Sequence, residues 1–245
     1  MDHWIIVVST FISVLAMVWM IFPPLLSSIR IYKNFSKALR LEAKVKLVST
    51  MHSIWVTCNS IYMLFIDHAD DIVWFAPTYA IRNAAISTGY LLGQTFLMLL
   101  YWKDLGAADM LVHHVVAFSA FSICLQNGYL TYFVNLRLIA ELSTPFLNVR
   151  WLLATIGAKN SLVYYYNGLI FTAIFFLCRV AIIPYHYYIL YVMTQTDTYK
   201  MAVGNVIHVV WLTVCVIIDT LDVVWFYKLI RGLRKYLCRN DEKSK

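Results

Sequence analysis

Residues 4–26, with the sequence WIIVVSTFISVLAMVWMIFPPLL, contain no charged side chain. A helix of about 20 apolar residues is long enough to cross the hydrocarbon core of a bilayer. The segment lacks the basic start, the short apolar core and the small-residue cleavage site of a secretory signal peptide. We therefore expect residues 4–26 to form a retained membrane-spanning helix.

Six further apolar runs follow along the 245-residue chain. They lie at about residues 47–66, 84–102, 109–126, 129–151, 161–192 and 203–227. Hydrophobic residues make up 61% of the chain and charged residues 13%, which is about half the charged share of a soluble domain. The predicted fold class is all-α, a polytopic membrane helix bundle with seven transmembrane helices. Pro184 in the sixth run predicts a kink there.

The charges between the runs predict the orientation. Segment 27–46 and the C-terminal tail are basic, whereas loop 67–82 is acidic. Basic segments stay on the cytoplasmic side of a membrane. Seven spans place both basic segments there, and six or eight would separate them. The N-terminus is then lumenal, the C-terminus is cytoplasmic, and the glycosylation sequon at Asn34 stays unmodified.

Two adjacent histidines, His113 and His114, open the fourth run. Ionisable groups inside membrane spans are costly, at roughly 2.5–3.5 kcal/mol on insertion scales, and they often mark functional sites. Neighbours on a helix point about 100° apart, so this pair cannot chelate one metal ion. One histidine could face a cavity as a base or nucleophile while the other orients it or caps the helix. The alternative is a pair of interfacial histidines without chemistry.

The fifth run carries a seam of polar residues. Arg137 and Glu141 are four positions apart and can pair on one helix face, to which Asn148 nearly returns. Pro145 cannot donate to the Glu141 carbonyl, which would leave that acceptor free on the same stripe. The seam is either functional or a structural ion pair that fixes helix packing, and both roles can hold together.

The seventh run places His208, Asp219 and Asp222 within about 60° of one another on a helix. Such a set suits a proton relay or a metal site, but a metal needs three or four converging ligands. Packing of these groups against Arg179 of the sixth run or His52 of the second is the simpler interpretation, which we favour. No metal site is predicted.

Three stretches of the sequence resemble a known family. They are LVSTMHS at 47–53, GYLLGQ at 89–94, and a long third stretch that includes NLRLIAELSTPFLNVRW at 135–151. The pattern is similar to that of the TLC domain family. The resemblance covers about residues 40–232, which we take as the TLC domain. It leaves residues 1–39 as an N-terminal span with a basic loop, and residues 233–245 as a basic cytoplasmic tail.

The resemblance implies six helices forming a TLC-type bundle around a membrane-embedded cavity. The relatives with known chemistry are ceramide synthases, which join a fatty acyl group from acyl-CoA to a sphingoid amine. By position, His113, His114 and Glu141 match their catalytic residues. Thr144 stands where a second aspartate is expected, and Gln94 stands where relatives often have aspartate.

These implications predict a multi-pass membrane protein of lipid homeostasis whose cavity binds a lipid or an acyl chain. Acyl transfer would make acyl-CoA the co-substrate; no bound cofactor is expected. The alternative is a non-catalytic factor for lipid binding, trafficking or membrane composition, so enzymatic activity is left open. A receptor or channel fits less well, because the loops are short and the charges do not form rings. The lipid-binding candidates are Arg137, Asn148, Arg179, His208, Asp219 and Asp222.

The expected partners are membrane lipids, with assembly into a homo-oligomer left open and no nucleic acid expected. Members of the family usually reside in the endoplasmic reticulum, so the resemblance predicts that location for this protein.

Overall fold

A computed structural model describes residues 3–65, 67 and 71–243, with side chains described up to Lys235. All regular secondary structure in this part of the chain is helical. Seven helical stretches run through it: α1 (His3–Leu26), α2 (Lys37–Phe65), α3 (Thr78–Leu100), α4 (Ala108–Asn127), α5 (Thr131–Leu138, Ile139–Ser143 and Thr144–Thr155 in series), α6 (Leu162–Thr194) and α7 (Asp197–Lys243, with a kink at Gly204, where the backbone is not helical). Short helical turns lie between them at Arg30–Lys33, Trp102–Leu105 and Ala158–Asn160.

Four of these stretches, α1, α4, α6 and α7, are long and apolar enough to cross a membrane. They support the prediction of an integral membrane protein. Helices α2 and α3 have 29 and 23 residues, which at 1.5 Å per residue exceeds the thickness of the hydrocarbon core. Their composition is more polar, partly because α2 begins ten residues before the apolar run and includes charged residues of the basic segment. Seven spans therefore remain a prediction.

Irregular helical turns precede three prolines. They are the π-helical turns Met17–Ile21 ahead of Pro23 and Phe176–Val180 ahead of Pro184, and the 3₁₀ turn Ile139–Ser143 ahead of Pro145. Proline has no backbone N–H and its ring crowds the preceding turn, so the regular ladder is interrupted there. The kink predicted near Pro184 is confirmed as a widened turn, in which the Ala181 N–H donates to the Phe176 carbonyl at 2.8 Å.

Two glycines allow α1 to lie directly against α3. A Cβ atom on Gly89 would lie 2.4 Å from the carbonyl oxygen of Val7, and one on Gly93 would lie 2.7 Å from Cγ1 of Val14. Small residues four apart permit this close approach between membrane helices. Helix α1 lies outside the predicted TLC domain, yet it packs tightly on a helix within it.

Asparagine side chains join α2, α3 and α5. The Nδ2 group of Asn83 donates to the Val56 carbonyl at 3.1 Å and to Oδ1 of Asn135 at 2.9 Å. Asn135 in turn donates to the Ala80 carbonyl at 3.1 Å. Both asparagines are buried, where amide hydrogen bonds between helices hold a fixed register. These contacts hold α2, α3 and α5 together beside the candidate site.

Candidate functional site

A cavity lies between α2, α3, α4, α5, α6 and α7, and each of these helices contributes to its lining. It offers about 60 Å³ to water-sized molecules. One water needs about 10–15 Å³ by this measure, so the cavity has room for a few waters or one small functional group. Its apolar lining consists of Leu91, Ala117, Phe121, Leu138, Ala140 and Ile218. Its polar lining consists of His52, Ser87, Tyr90, His113, Arg137, Glu141, Arg179 and Asp222.

Asp222 joins two arginines at the side of the cavity. Its Oδ1 atom accepts a hydrogen bond from Nη1 of Arg179 at 2.9 Å, and its Oδ2 atom lies 3.5 Å from Nη2 of Arg137. The same Nη2 group also donates to Asp219. The side chain of Asp222 is only 1% exposed. The two acidic residues of α7 therefore bind the arginines of α5 and α6. Of the packing against Arg179 that we favoured, the structure shows the contact of Asp222, whereas Asp219 pairs with Arg137 and His208 contacts Tyr199.

Arg179 has a partner for each of its nitrogen atoms. Besides the Asp222 contact, Nη2 lies 3.7 Å from Oε1 of Glu141, and Nε donates to Oγ of Ser143 at 3.2 Å. Arg179 belongs to the π-helical turn ahead of Pro184. The residue that connects α5 to α7 therefore lies in the irregular part of α6. A buried guanidinium satisfied in this way holds three helices in one arrangement.

The ion pair predicted between Arg137 and Glu141 is replaced by pairs between helices. Arg137 pairs with α7, and Glu141 pairs with Arg179 of α6. The Glu141 carboxylate also accepts a hydrogen bond from the Thr144 hydroxyl at 2.8 Å. The prediction of a free Glu141 carbonyl is wrong, because the 3₁₀ turn lets the Thr144 N–H donate to it. Thr144 thus positions Glu141 instead of supplying a second acid.

The two histidines of α4 diverge as their spacing requires. His113 lines the cavity, and its ring centroid lies 5.5 Å from that of Trp225. Its buried Nδ1 atom has no hydrogen-bond partner among the described residues. His114 turns toward α3, where its Nδ1 atom lies 3.3 Å from the Thr95 hydroxyl. Only His113 is therefore placed for contact with a molecule in the cavity.

A polar contact joins the beginning of α4 to α7 close to His113. Oδ2 of Asp109 accepts from Nε1 of Trp225 at 2.9 Å and lies 3.5 Å from Nζ of Lys228. Because the Trp225 ring also contacts His113, this contact fixes the wall of the cavity on that side.

Three of the predicted lipid-binding residues, Asn148, His208 and Asp219, lie outside the cavity lining. Asn148 donates to the Lys46 carbonyl at 3.1 Å and to the Thr50 hydroxyl at 2.9 Å. These hydrogen bonds connect α5 to α2. His208 contacts the Tyr199 hydroxyl at 2.8 Å. Asp219 follows His208 by eleven residues, which is roughly 16 Å along the helix axis. The two side chains therefore lie far apart even though they share one helix face.

The cavity wall formed by α2 and α3 was only partly predicted. Nε2 of His52 lies 3.3 Å from the Ser87 hydroxyl, as expected for a hydrogen bond between helices. The His52 ring also stacks on Tyr90, with centroids 3.7 Å apart and planes within 8°. Ser87, Tyr90 and Leu91 follow the i, i+3, i+4 spacing of one helix face, which is the signal that could have identified this wall.

The ionised groups beside the cavity do not balance. Arg137 and Arg179 supply two positive charges against the three carboxylates of Glu141, Asp219 and Asp222, so the formal charge of the cluster is −1. The described residues include no group of three or more His, Cys, Asp or Glu side chains that could hold a metal ion. The polar groups that line the cavity are guanidinium, carboxylate, imidazole and hydroxyl groups.

Comparison with known proteins assigns the chain to a family. The profile of the TLC domain matches residues 42–231. TLC domain-containing protein 4 of Homo sapiens is 34% identical over 218 residues, which is 87% of this chain and 82% of that protein. The protein of the same name from Xenopus tropicalis is 36% identical over 208 residues, or 83% and 80% of the two chains. TLC domain-containing protein 1 of Homo sapiens is 25% identical over 167 residues, or 66% and 62%. No solved structure matches. The profile covers most of the chain and two of these relatives exceed 30% identity, so the chain belongs to the TLC domain family.

Proposed function

We propose that this protein acts in membrane lipid homeostasis by binding a lipid, with a polar group of the lipid in the cavity and its chain extending from there along the apolar helices toward the bilayer. The observation that carries the proposal is the composition of the cavity wall. Leu91, Phe121 and Ile218 face the same space as Arg137 and His113. A wall that combines apolar side chains with a few hydrogen-bonding groups is complementary to an amphiphile. Family membership supports the proposal, because TLC domain proteins are generally linked to lipid biology.

A second candidate function is acyl transfer from acyl-CoA, and His113 is the observation that favours it. A buried imidazole in a cavity with a free ring nitrogen can act as a base or as an acyl acceptor. Glu141 would have to orient that imidazole, but its carboxylate contacts Thr144 and Arg179 instead. Lipid binding needs no such contact, so it is the function that the geometry supports better. We also propose the endoplasmic reticulum as the location, on the resemblance alone.

The binding function is tested by purifying the protein in detergent and measuring co-purified lipid by mass spectrometry. Ala117→Leu adds atoms to the cavity lining, whereas Val115→Leu enlarges an exposed position two residues away on the same helix. We expect Ala117→Leu to lower bound lipid by about tenfold, equivalent to about 1.4 kcal/mol, and Val115→Leu to leave it unchanged. Equal lipid content in the two variants, or none in the unsubstituted protein, would contradict cavity binding.

The same preparations separate binding from catalysis. They are incubated with labelled acyl-CoA and a panel of amine and lysolipid acceptors. An enzyme transfers label, and loses the activity in His113→Ala and in the His113→Ala/His114→Ala double variant. The single variant His114→Ala tests whether His113 is the histidine of the pair that acts, because His114 contacts Thr95 and does not line the cavity. Retained lipid without transfer to any acceptor favours the non-catalytic function.

A further inference from the structure

We propose that the group held in the cavity is the neutral carbonyl of an acyl ester or amide, and neither a phosphate nor an ammonium headgroup. The inference rests on the proposed lipid binding and specifies which part of the lipid enters. Three observations carry it: an arginine donor without an acceptor, the charge of the surrounding cluster, and the size of the cavity.

Arg137 has a donor group that the protein leaves unused. Its Nη2 group contacts Asp219 and Asp222, but its buried Nη1 group has no partner among the described residues. Arg179 differs, because all three of its nitrogens have partners. A guanidinium only donates, so what Nη1 lacks is an acceptor. Leaving a buried donor unsatisfied is unfavourable, and an oxygen atom of a ligand would remove that penalty.

The charge of the cluster determines whether the ligand oxygen belongs to a charged or to a neutral group. With a formal charge of −1 already present on the ionised cluster, a phosphate would add negative charge beside three carboxylates in a region of low dielectric constant. An ester or amide carbonyl accepts a hydrogen bond without adding charge. The acceptor that suits Arg137 is therefore neutral.

An ammonium headgroup would be attracted by the same charge, but it does not satisfy Arg137. Ammonium is a donor and has no acceptor site, so the Nη1 group would stay unpaired. The carboxylates in the cavity lining are already engaged: Asp222 by both arginines and Glu141 by Arg179 and Thr144. Asp219, which Arg137 and Tyr187 contact, lies outside the lining. A carbonyl leaves these pairs intact.

The dimensions of the cavity agree with this assignment. About 60 Å³ is enough for a small planar group, and the apolar lining from Leu91, Phe121 and Ile218 suits the first methylene groups on either side of a carbonyl. The rest of the chain would extend along the apolar helices toward the bilayer.

The test compares four probes of equal chain length in a detergent without carbonyl groups. They are methyl palmitate labelled with ¹³C at the carbonyl, hexadecyl phosphate, hexadecylamine and hexadecane. We expect methyl palmitate to bind about tenfold more tightly than each of the others. Its carbonyl stretching band should move to lower wavenumber in the infrared difference spectrum, because a hydrogen bond weakens the C=O bond.

Phosphate or amine binding as tight as the ester, or an ester band that does not move, would overturn the carbonyl assignment and leave lipid binding intact. Failure of all four probes to bind, with no lipid co-purifying, would instead overturn the proposed function itself.

A double variant assigns the donor. Arg137→Met with Asp219→Asn removes the guanidinium and one carboxylate together, so the formal cluster charge stays at −1. We expect the ester to lose its preference over hexadecane and the band shift to disappear. Lys200→Met with Asp197→Asn removes an exposed ion pair of α7 by the corresponding substitutions, and it should change neither the ester preference nor the band shift. A band shift that persists in the Arg137 variant contradicts the assignment, and the ranking of probes on the unsubstituted protein decides the ligand class even if that variant unfolds.

Discussion

At the scale of single residues, Asp222 is a buried carboxylate that two arginines share. One carboxylate oxygen contacts Arg179 and the other contacts Arg137, while the side chain is almost fully buried. Removing one partner of a buried ion pair leaves an uncompensated charge, which typically costs about 3–5 kcal/mol. We therefore expect Asp222→Asn to lower the free energy of unfolding by about that amount. The measurement is a denaturant or thermal unfolding transition of the purified protein in detergent.

The matched control for this prediction is Asp197→Asn at the beginning of α7, ahead of the kink at Gly204. Asp197 lies 3.8 Å from Lys200, but its side chain is 92% exposed. Exposed pairs contribute little to stability because water and salt screen them. The unfolding midpoint of Asp197→Asn should match that of the unsubstituted protein. If both variants unfold at the same midpoint, the buried network does not have the structural role described.

The sequence identified most of the charged residues of the site but, apart from Asp222 and Arg179, not their partners. The spacing of Arg137 and Glu141 favoured a pair within one helix, whereas the structure pairs Arg137 with Asp219, 82 positions away. A periodicity argument shows which face a residue shares on its own helix. It contains no information on which face of another helix lies opposite, so the contacts between α5, α6 and α7 required the three-dimensional arrangement.

At the scale of helices, the contact of α1 with α3 depends on Gly89. A methyl group there would meet the Val7 backbone at 2.4 Å, and a backbone atom cannot rotate away as a side chain can. We expect Gly89→Ala to push α1 outward and destabilise the protein by about 1–3 kcal/mol, the usual cost of overpacking. The unfolding midpoint in detergent measures this loss.

Gly232 provides the control for that substitution. It lies in α7, and a Cβ atom on it would have no neighbour within 4 Å. Alanine is favoured over glycine within helices by about 0.5–1 kcal/mol, so Gly232→Ala should be neutral or slightly stabilising. If Gly89→Ala behaves in the same way, then α1 does not rest on α3 as closely as described.

The helices themselves were well predicted from apolar runs, but the ends of some of them were not. The runs at 109–126 and 161–192 correspond to Ala108–Asn127 and Leu162–Thr194 within two residues. The second run began at residue 47, whereas α2 begins at Lys37. Hydropathy detects the part of a helix that suits the bilayer, but the backbone stays helical beyond it where charged residues reach water.

At the scale of the whole molecule, the cavity was expected from the family resemblance and not from any local pattern. Six helices contribute to its lining, and the residues come from positions between 52 and 222. Individual residues such as Ala117 and Ile218 carry no sign of this role, because an apolar residue on a membrane helix can equally face lipid, another helix or a cavity. The orientation across the membrane, in contrast, was predicted from charge alone and can be tested through the ends of α6.

Helix α6 lies between Lys159 and Lys200. Its 33 residues span about 50 Å, which exceeds the roughly 30 Å of a hydrocarbon core. Seven spans place Lys159 in the cytoplasm and Lys200 in the lumen. In a variant without native cysteines, a membrane-impermeant maleimide should modify Lys159→Cys in sealed microsomes and Lys200→Cys only after detergent is added. Reaction of both cysteines without detergent would mean that α6 does not cross the membrane. Reaction of Lys200→Cys alone, or a glycan on Asn34, would reverse the orientation, because basic segments would then face the lumen against the charge rule.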